Sequence, residues 1–155
     1  MENKNKSEDV IELMRSYELF LKDLYHFFAQ KIPQEKEFWL RLSEEENKHA
    51  YWLEVLGMNI EKRGISLNGD DRFNLPLIKS SIEHVKEALD DFKKIELSFF
   101  DALTFAKDIE NSMIEKKFFE VFYGIDDDFD RVMKLLKEET KKHSERIEEK
   151  LQEMS

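Results

Sequence analysis

The sequence predicts an all-α protein, an antiparallel four-helix bundle with one long crossover that contains a short helix. Three observations lead there. Hydrophobic residues make up 41% of the 155-residue chain and charged residues 39%, the balance expected of long helices with one wet face. Only four Gly and two Pro interrupt it, and most of these fall in the single stretch 57–76. Elsewhere apolar residues recur every three or four positions, the period of one helical face.

The first helix spans about residues 7–31, with a stripe of Val10, Met14, Tyr17, Leu21, Leu24 and Phe28. Pro33 marks the start of a second, about 34–57, because a missing N–H costs nothing in a first helical turn. Its stripe is Phe38, Trp39, Leu42, Ala50, Leu53 and Leu56, and Gly57 is its expected stop. A link this short makes the two helices a hairpin. Residues 57–76 then gather Gly57, Gly64, Gly69, Asn68, Asp70, Asp71 and Pro76. So long a connection needs a topological reason, and a crossover between two hairpins supplies one.

Ser80 and Glu83 have capping-box spacing and open a short helix over about 80–91. A third long helix follows over about 95–123, bearing Phe99, Leu103, Ala106, Met113, Ile114 and Phe118. Gly124 and Asp126 to Asp128 form the next turn and cap. The fourth long helix, about 127–153, carries Phe129, Val132, Met133, Leu136, Ile147 and Leu151. Residues 1–155 thus read as one domain with a weak internal repeat, each half a helical hairpin with a His near the middle of its second helix.

Composition also excludes chemistry. With no cysteine, disulfides, thiolate zinc sites, iron–sulfur clusters and cysteine nucleophiles are all ruled out. Any metal must be held by oxygen and imidazole donors. A net charge of −10 argues against nucleic acid and against an anionic membrane surface. No stretch approaches the roughly 20 apolar residues that span a bilayer. The polar start MENKNKSED is followed by no apolar segment, so the expectation is a cytoplasmic protein without a secretory signal.

Polar residues inside the apolar stripes carry the functional reading. Glu46 lies four beyond Leu42 and His49 four before Leu53, so both face inward on the second helix, one turn apart. An inward carboxylate is costly unless it is paired or bound to a cation. Glu18 lies four after Met14, Glu110 four after Ala106, and His143 four before Ile147. Each of the four long helices therefore offers a ligand near the middle of its inward face. Carboxylate-bridged two-metal bundles are built this way, with Glu from two helices and Glu-x-x-His from the other two. The fourth helix departs from that pattern, since Thr140 stands three before His143. Glu139 is one residue earlier and reaches a metal only from the flank, with simple solvation as its other reading. Glu44 and Glu45 are expected to face solvent. His26 and His84 read as surface or satisfied histidines, and Tyr25 as core packing with a metal-side hydrogen bond as the alternative.

Tyr17-Glu18, SEEENKHA at 43–50, ALTFAKDIENSMIEKKFFEVF at 102–122 and EETKKHSERI at 138–147 resemble the rubrerythrin branch of the ferritin-like superfamily. The resemblance runs from about residue 10 to 150 and is most specific in the second helix. It implies a non-haem di-iron site, with Glu18 and Glu110 as terminal ligands, Glu46 bridging, and His49 and His143 as nitrogen ligands. The family's second bridging Glu falls on Thr140, and a further family carboxylate falls on Lys107. Iron is therefore expected, two ions by resemblance or one if the site is reduced, and the donor set also admits Mn or Zn. Without a cysteine-ligated rubredoxin domain, redox cycling requires an external electron donor. A homodimer is expected, since ferritin-like chains often pair through helix faces. Two functions stay open: an iron redox protein acting on peroxide or dioxygen, and a bundle with a decayed site in a structural or partner-binding role.

Overall fold

The computed structural model describes residues 6–64, 75–115 and 126–154. Among them are five α-helices and no strand: α1 (Lys6–Lys31), α2 (Lys36–Arg63), α3 (Leu75–Phe92), α4 (Phe99–Glu115) and α5 (Asp127–Glu153). None of these helices is long and apolar enough to cross a membrane.

Cross-helix contacts give the directions. A single 3-10 turn, Pro33–Glu35, joins α1 to α2. Ser43 Oγ then donates to the Lys22 carbonyl at 2.9 Å, and Arg15 lies 3.8 Å from Glu54, so the two helices run antiparallel. By the same test α5 is antiparallel to α2, since Lys150 meets Glu35 and Arg63 meets Asp126. In turn α4 is antiparallel to α5, where Lys107 pairs with Glu148 and Ser144 Oγ donates to Asn111 Oδ1. Hence α2 and α4 point the same way, and the chain must travel back between them. That return is made by α3, which lies along α1 in the same direction, with Lys86 over the Phe20 ring and Phe92 against Phe28. In chain order α3 thus lies between two helices of the same direction and runs against both; residues 65–74, most of the breaker-rich stretch, lie outside the described residues.

Apolar stripes explain the packing. Leu21, Leu24, Leu42, Leu53, Leu103, Met133 and Leu136 are fully buried in one core. At the end near the α1–α2 turn, Trp39 is surrounded by aromatic rings. Tyr25 stacks on it at 5.7 Å, Phe28 meets it edge-on at 4.8 Å, and Phe99 closes from α4 at 6.0 Å. Such offset and edge contacts each add roughly 0.5–1.5 kcal/mol beyond the area they bury. This cluster fixes Tyr25, whose hydroxyl points onward into the polar centre of the core.

Several helix ends differ from expectation. Gly57 does not stop α2, which continues for more than a turn and buries Ile60. A Cβ at Gly57 would stand 3.3 Å from Ile11 Cγ2, so this glycine serves the close approach of α1 instead. The true stop is Gly64, left-handed at φ 66°, whose N–H returns to the carbonyls of Glu61 and Ile60. Ser80 and Glu83 lie inside α3 rather than at its start, because Pro76 sits in a first turn where proline is tolerated. The expected helix from residue 95 begins only at Phe99: Ser98 Oγ accepts from the Asp101 N–H at 3.0 Å, and Ile95 is exposed in the link before it. Its expected extension through 116–123, with Phe118 and the Gly124 turn, lies outside the described residues. The start of α5 agrees, since the Asp126 carboxylate accepts from the N–H groups of Asp128 and Phe129.

Gly64→Ala should destabilise the protein by about 1 kcal/mol, because only glycine takes that backbone conformation without strain. Denaturant melts of the two proteins measure it. A neutral result would mean that α2 ends elsewhere.

Candidate metal centre

Four helices each send a ligand-capable side chain into the core. Glu18 from α1, Glu46 and His49 from α2, Glu110 from α4 and His143 from α5 are all buried, none more than 3% exposed. The inward placement expected for these five residues is what the structure has, and it brings them together at one level of the core.

Glu46 is central. Its Oε1 lies 2.9 Å from His49 Nδ1 and 3.4 Å from His143 Nδ1. On one flank Glu18 Oε1 stands 3.7 Å from His49 Nδ1; on the other Glu110 Oε1 stands 3.5 Å from His143 Nδ1. Each imidazole therefore turns its Nδ1 edge to two carboxylates, and Glu46 is shared. The two rings are nearly parallel, 20° apart with centroids 5.3 Å apart. Glu46, His49 and His143 each offer an atom within 4.8 Å of the others, as do Glu45, Glu139 and His143.

Close as they lie, most of these polar atoms lack a well-aligned hydrogen bond. Glu18 Oε2, Glu46 Oε2, Glu110 Oε1, His143 Nδ1 and both nitrogens of His49 are buried without a hydrogen-bond partner. Each such atom costs roughly 1–3 kcal/mol, more when charged. Oxygen and imidazole donors converging in this way could hold a divalent metal ion.

Other groups support the cluster from behind. Tyr25 Oη donates to Glu110 Oε2 at 2.7 Å, which leaves Glu110 Oε1 for the centre. Core packing, the first reading of Tyr25, is thus joined by the hydrogen bond of the alternative. Tyr17 is buried beside Glu110, Glu18 and Glu46, which the sequence reading took only as part of the stripe. Thr140 is buried at 1% exposure where a second Glu-x-x-His would place its carboxylate. Half-buried Glu139 brings Oε1 to 3.9 Å from His49 Nε2, and Lys142 lies 3.4 Å from its other oxygen. Lys107 turns away from the centre to Glu148. His26 and His84 are exposed.

Glu45 does not face solvent, contrary to what the pattern of α2 alone leads one to expect. It is half-buried and accepts from His143 Nε2 at 2.8 Å. Arg146 grips both its oxygens, at 2.7 and 3.1 Å, and Arg41 lies 3.6 Å away. The hydrogen-bond partners of Glu45 lie on α5, about a hundred residues along, so the pattern of α2 alone cannot reveal them.

Burial sets the protonation of the centre. It pushes the Glu18 carboxyl well above its ordinary 4.5, with Glu46 adding to the rise, and it does the same to Glu46, with Glu110 adding. His49 is pulled below 6.5 by burial. Burial also opposes charge on His143, but Glu110, Glu46 and Glu45 outweigh it and raise the imidazole to about 11. Glu45 goes the other way: burial works against its charge, yet the hydrogen bonds from His143 and Arg146 lower it to about 2. In the metal-free chain protons thus stand in for cations.

A stability slope follows. Glu18, Glu46 and His143 hold protons in the folded chain at pH values where the unfolded chain has lost them, so each stabilises fully below its unfolded value and loses that effect as pH rises. His49 has the opposite sign but acts only below 6.5. From about pH 6.5 to about 8.5 the metal-free protein should therefore melt progressively lower, by up to ~1.4 kcal/mol per pH unit for each proton held. Saturating divalent cation should flatten the curve. A metal-free protein of constant melting temperature over that range would contradict the assignment.

Comparison with protein-family models, with curated proteins and with solved structures returns no match, so the reading of this centre rests on its own residues.

Proposed function

We propose that the chain is a ferritin-like bundle of rubrerythrin type that holds iron between α1, α2, α4 and α5 and acts in redox chemistry on peroxide or dioxygen. The observation that carries it is the set of orphaned, buried donor atoms on Glu18, Glu46, His49, Glu110 and His143, contributed by four different helices. The crossover by α3, with α2 and α4 running the same way, is the topology that such bundles use. Two irons would take Glu18 with His49 on one side, Glu110 with His143 on the other, and Glu46 between them. One iron would use Glu46 with the two histidines. Bound iron supplies the electrons that reduce peroxide to water, replenished by an external donor.

The chain's own residues would do the rest. Glu18, Glu46 and the Nδ1 of His143 would release their protons to solvent as the cation arrives. Tyr25 holds Glu110 by Oε2 and so aims Oε1 inward. The apolar stripes above and below exclude water, which strengthens every charge interaction within.

A second reading has its own observation. Thr140 occupies the place of a bridging carboxylate, and Lys107, at the other family carboxylate position, is committed to Glu148. In that reading the site has decayed, its buried acids stay protonated, and the bundle serves a structural or partner-binding role.

Two measurements separate them. Ferrous-loaded protein should consume hydrogen peroxide in proportion to its iron, and His49→Ala should lose both iron and consumption. Thr140→Glu adds a fourth carboxylate: it should lower stability without metal, through desolvation and like-charge repulsion. With metal it should recover more than the parent does, each site filled adding about 2.7 kcal/mol at a cation concentration a hundred times its dissociation constant. A Thr140→Glu protein equally stable with and without ferrous or manganous ion would favour the decayed site.

A further inference from the structure

The two histidine helices carry the same short phrase. Glu45-Glu46-x-x-His49 on α2 aligns with Glu139-Thr140-x-x-His143 on α5. Across the antiparallel pair, the leading glutamate of each phrase faces the outer nitrogen of the opposite histidine. Glu45 Oε1 meets His143 Nε2 at 2.8 Å, and Glu139 Oε1 faces His49 Nε2 at 3.9 Å.

A neutral imidazole has one N–H and one lone pair. A hydrogen bond from Nε2 to an ionised carboxylate keeps a proton on Nε2, so that when the charged ring gives up one proton it is Nδ1, on the other edge, that is left with a lone pair. That edge of His143 faces Glu46 and Glu110 at 3.4 and 3.5 Å. Histidines that bind metals commonly donate their second N–H to a carboxylate, which fixes both tautomer and ring angle. Glu45 suits this role because Arg146 holds both its oxygens and Arg41 adds further positive charge. The guanidinium fork makes the acceptor rigid as well as charged.

We propose that Glu45, clamped by Arg146, is a positioning residue that holds the Nε2–H of His143 and so turns Nδ1, the nitrogen that would take a cation once its own proton leaves, toward the buried carboxylates. The role rests on the metal-binding reading only for its purpose; the orientation itself belongs to the metal-free chain. The repeat is asymmetric. Glu139 stands beyond hydrogen-bond reach of His49, and Trp52, three residues after His49, lies against that ring at 5.2 Å, where α5 has Arg146 three residues after His143. His49 is thus held by an aromatic face and His143 by a charge clamp, so loss of Glu45 should matter more than loss of Glu139.

The test uses side-chain nitrogen NMR of the histidines in the intact chain, first without metal. In the parent, His143 should show a hydrogen-bonded, slowly exchanging Nε2–H. Glu45→Ala should lose it, Glu45→Gln should retain it in part because the amide oxygen still accepts, and Glu139→Ala should leave it unchanged. With zinc as a diamagnetic probe, His143 of the parent should bind through Nδ1, and Glu45→Ala should weaken zinc affinity by about 10- to 100-fold. Circular dichroism of each variant checks that the helices persist. An unaltered Nε2–H signal in Glu45→Ala overturns the proposal, as does zinc bound through Nε2 of His143. A parent that shows the NMR signature but takes up no zinc would overturn the metal-binding reading and leave the orientation of His143 by Glu45 standing.

Discussion

Three carboxylates and two imidazoles packed between helices, away from water, form the constraint around which the rest of this molecule is arranged. A charge removed from water is costly unless something of opposite sign replaces the solvent. In the metal-free chain the replacement is partial. Burial raises the Glu18 and Glu46 carboxyls well above the ordinary range, and the raised imidazole of His143 lies beside Glu46 and Glu110. The orphaned oxygens and nitrogens that remain measure how incomplete that solution is. On the proposed reading a divalent cation would complete it with one group where several protons do so poorly.

The apolar core makes the arrangement tenable. Tyr25 links the two parts: its ring stacks on Trp39 within the aromatic cluster, and its hydroxyl holds Glu110. Position in the core and position of a ligand are thus set by one side chain. Gly57 brings α1 close to α2, which carry Glu18 and His49 on facing sides. Arg63 does comparable work at the far end, where it meets the Asp126 that caps α5 and so ties helix end to helix start. Helix register and site geometry are consequently one problem, solved by the same contacts.

Much of this was legible in the sequence, for a physical reason. Periodicity reports which face of a helix is buried, so Glu18, Glu46, His49, Glu110 and His143 could be read as inward residues without knowing their neighbours. The hairpin–crossover–hairpin order followed from where the breakers fall. Helix ends were less legible, because Gly57 and Gly64 look alike until close approach and backbone angle tell them apart. Pro76 misled in the same manner, since proline both breaks helices and starts them. Glu45 was invisible for a different reason. It lies at the edge of its own helix's stripe, and only the opposing helix, with His143 and Arg146, turns it from a surface acid into part of the centre. The repeated Glu-x-x-x-His spacing on both helices was the available signal, and it needs the antiparallel pairing of α2 and α5 to acquire meaning.

The central claim is that this buried cluster is completed by metal, and it is tested most directly by locating the ion. Crystals of protein prepared without chelators and soaked in ferrous or manganous salt, measured at the absorption edge of the metal, would give an anomalous map. A peak, or two, is expected beside Glu46 Oε1 and the Nδ1 atoms of His49 and His143, with Glu18 and Glu110 drawn towards it. A map without anomalous density there, from crystals with Glu46 and both imidazoles in place and metal bound only on the surface, would contradict it.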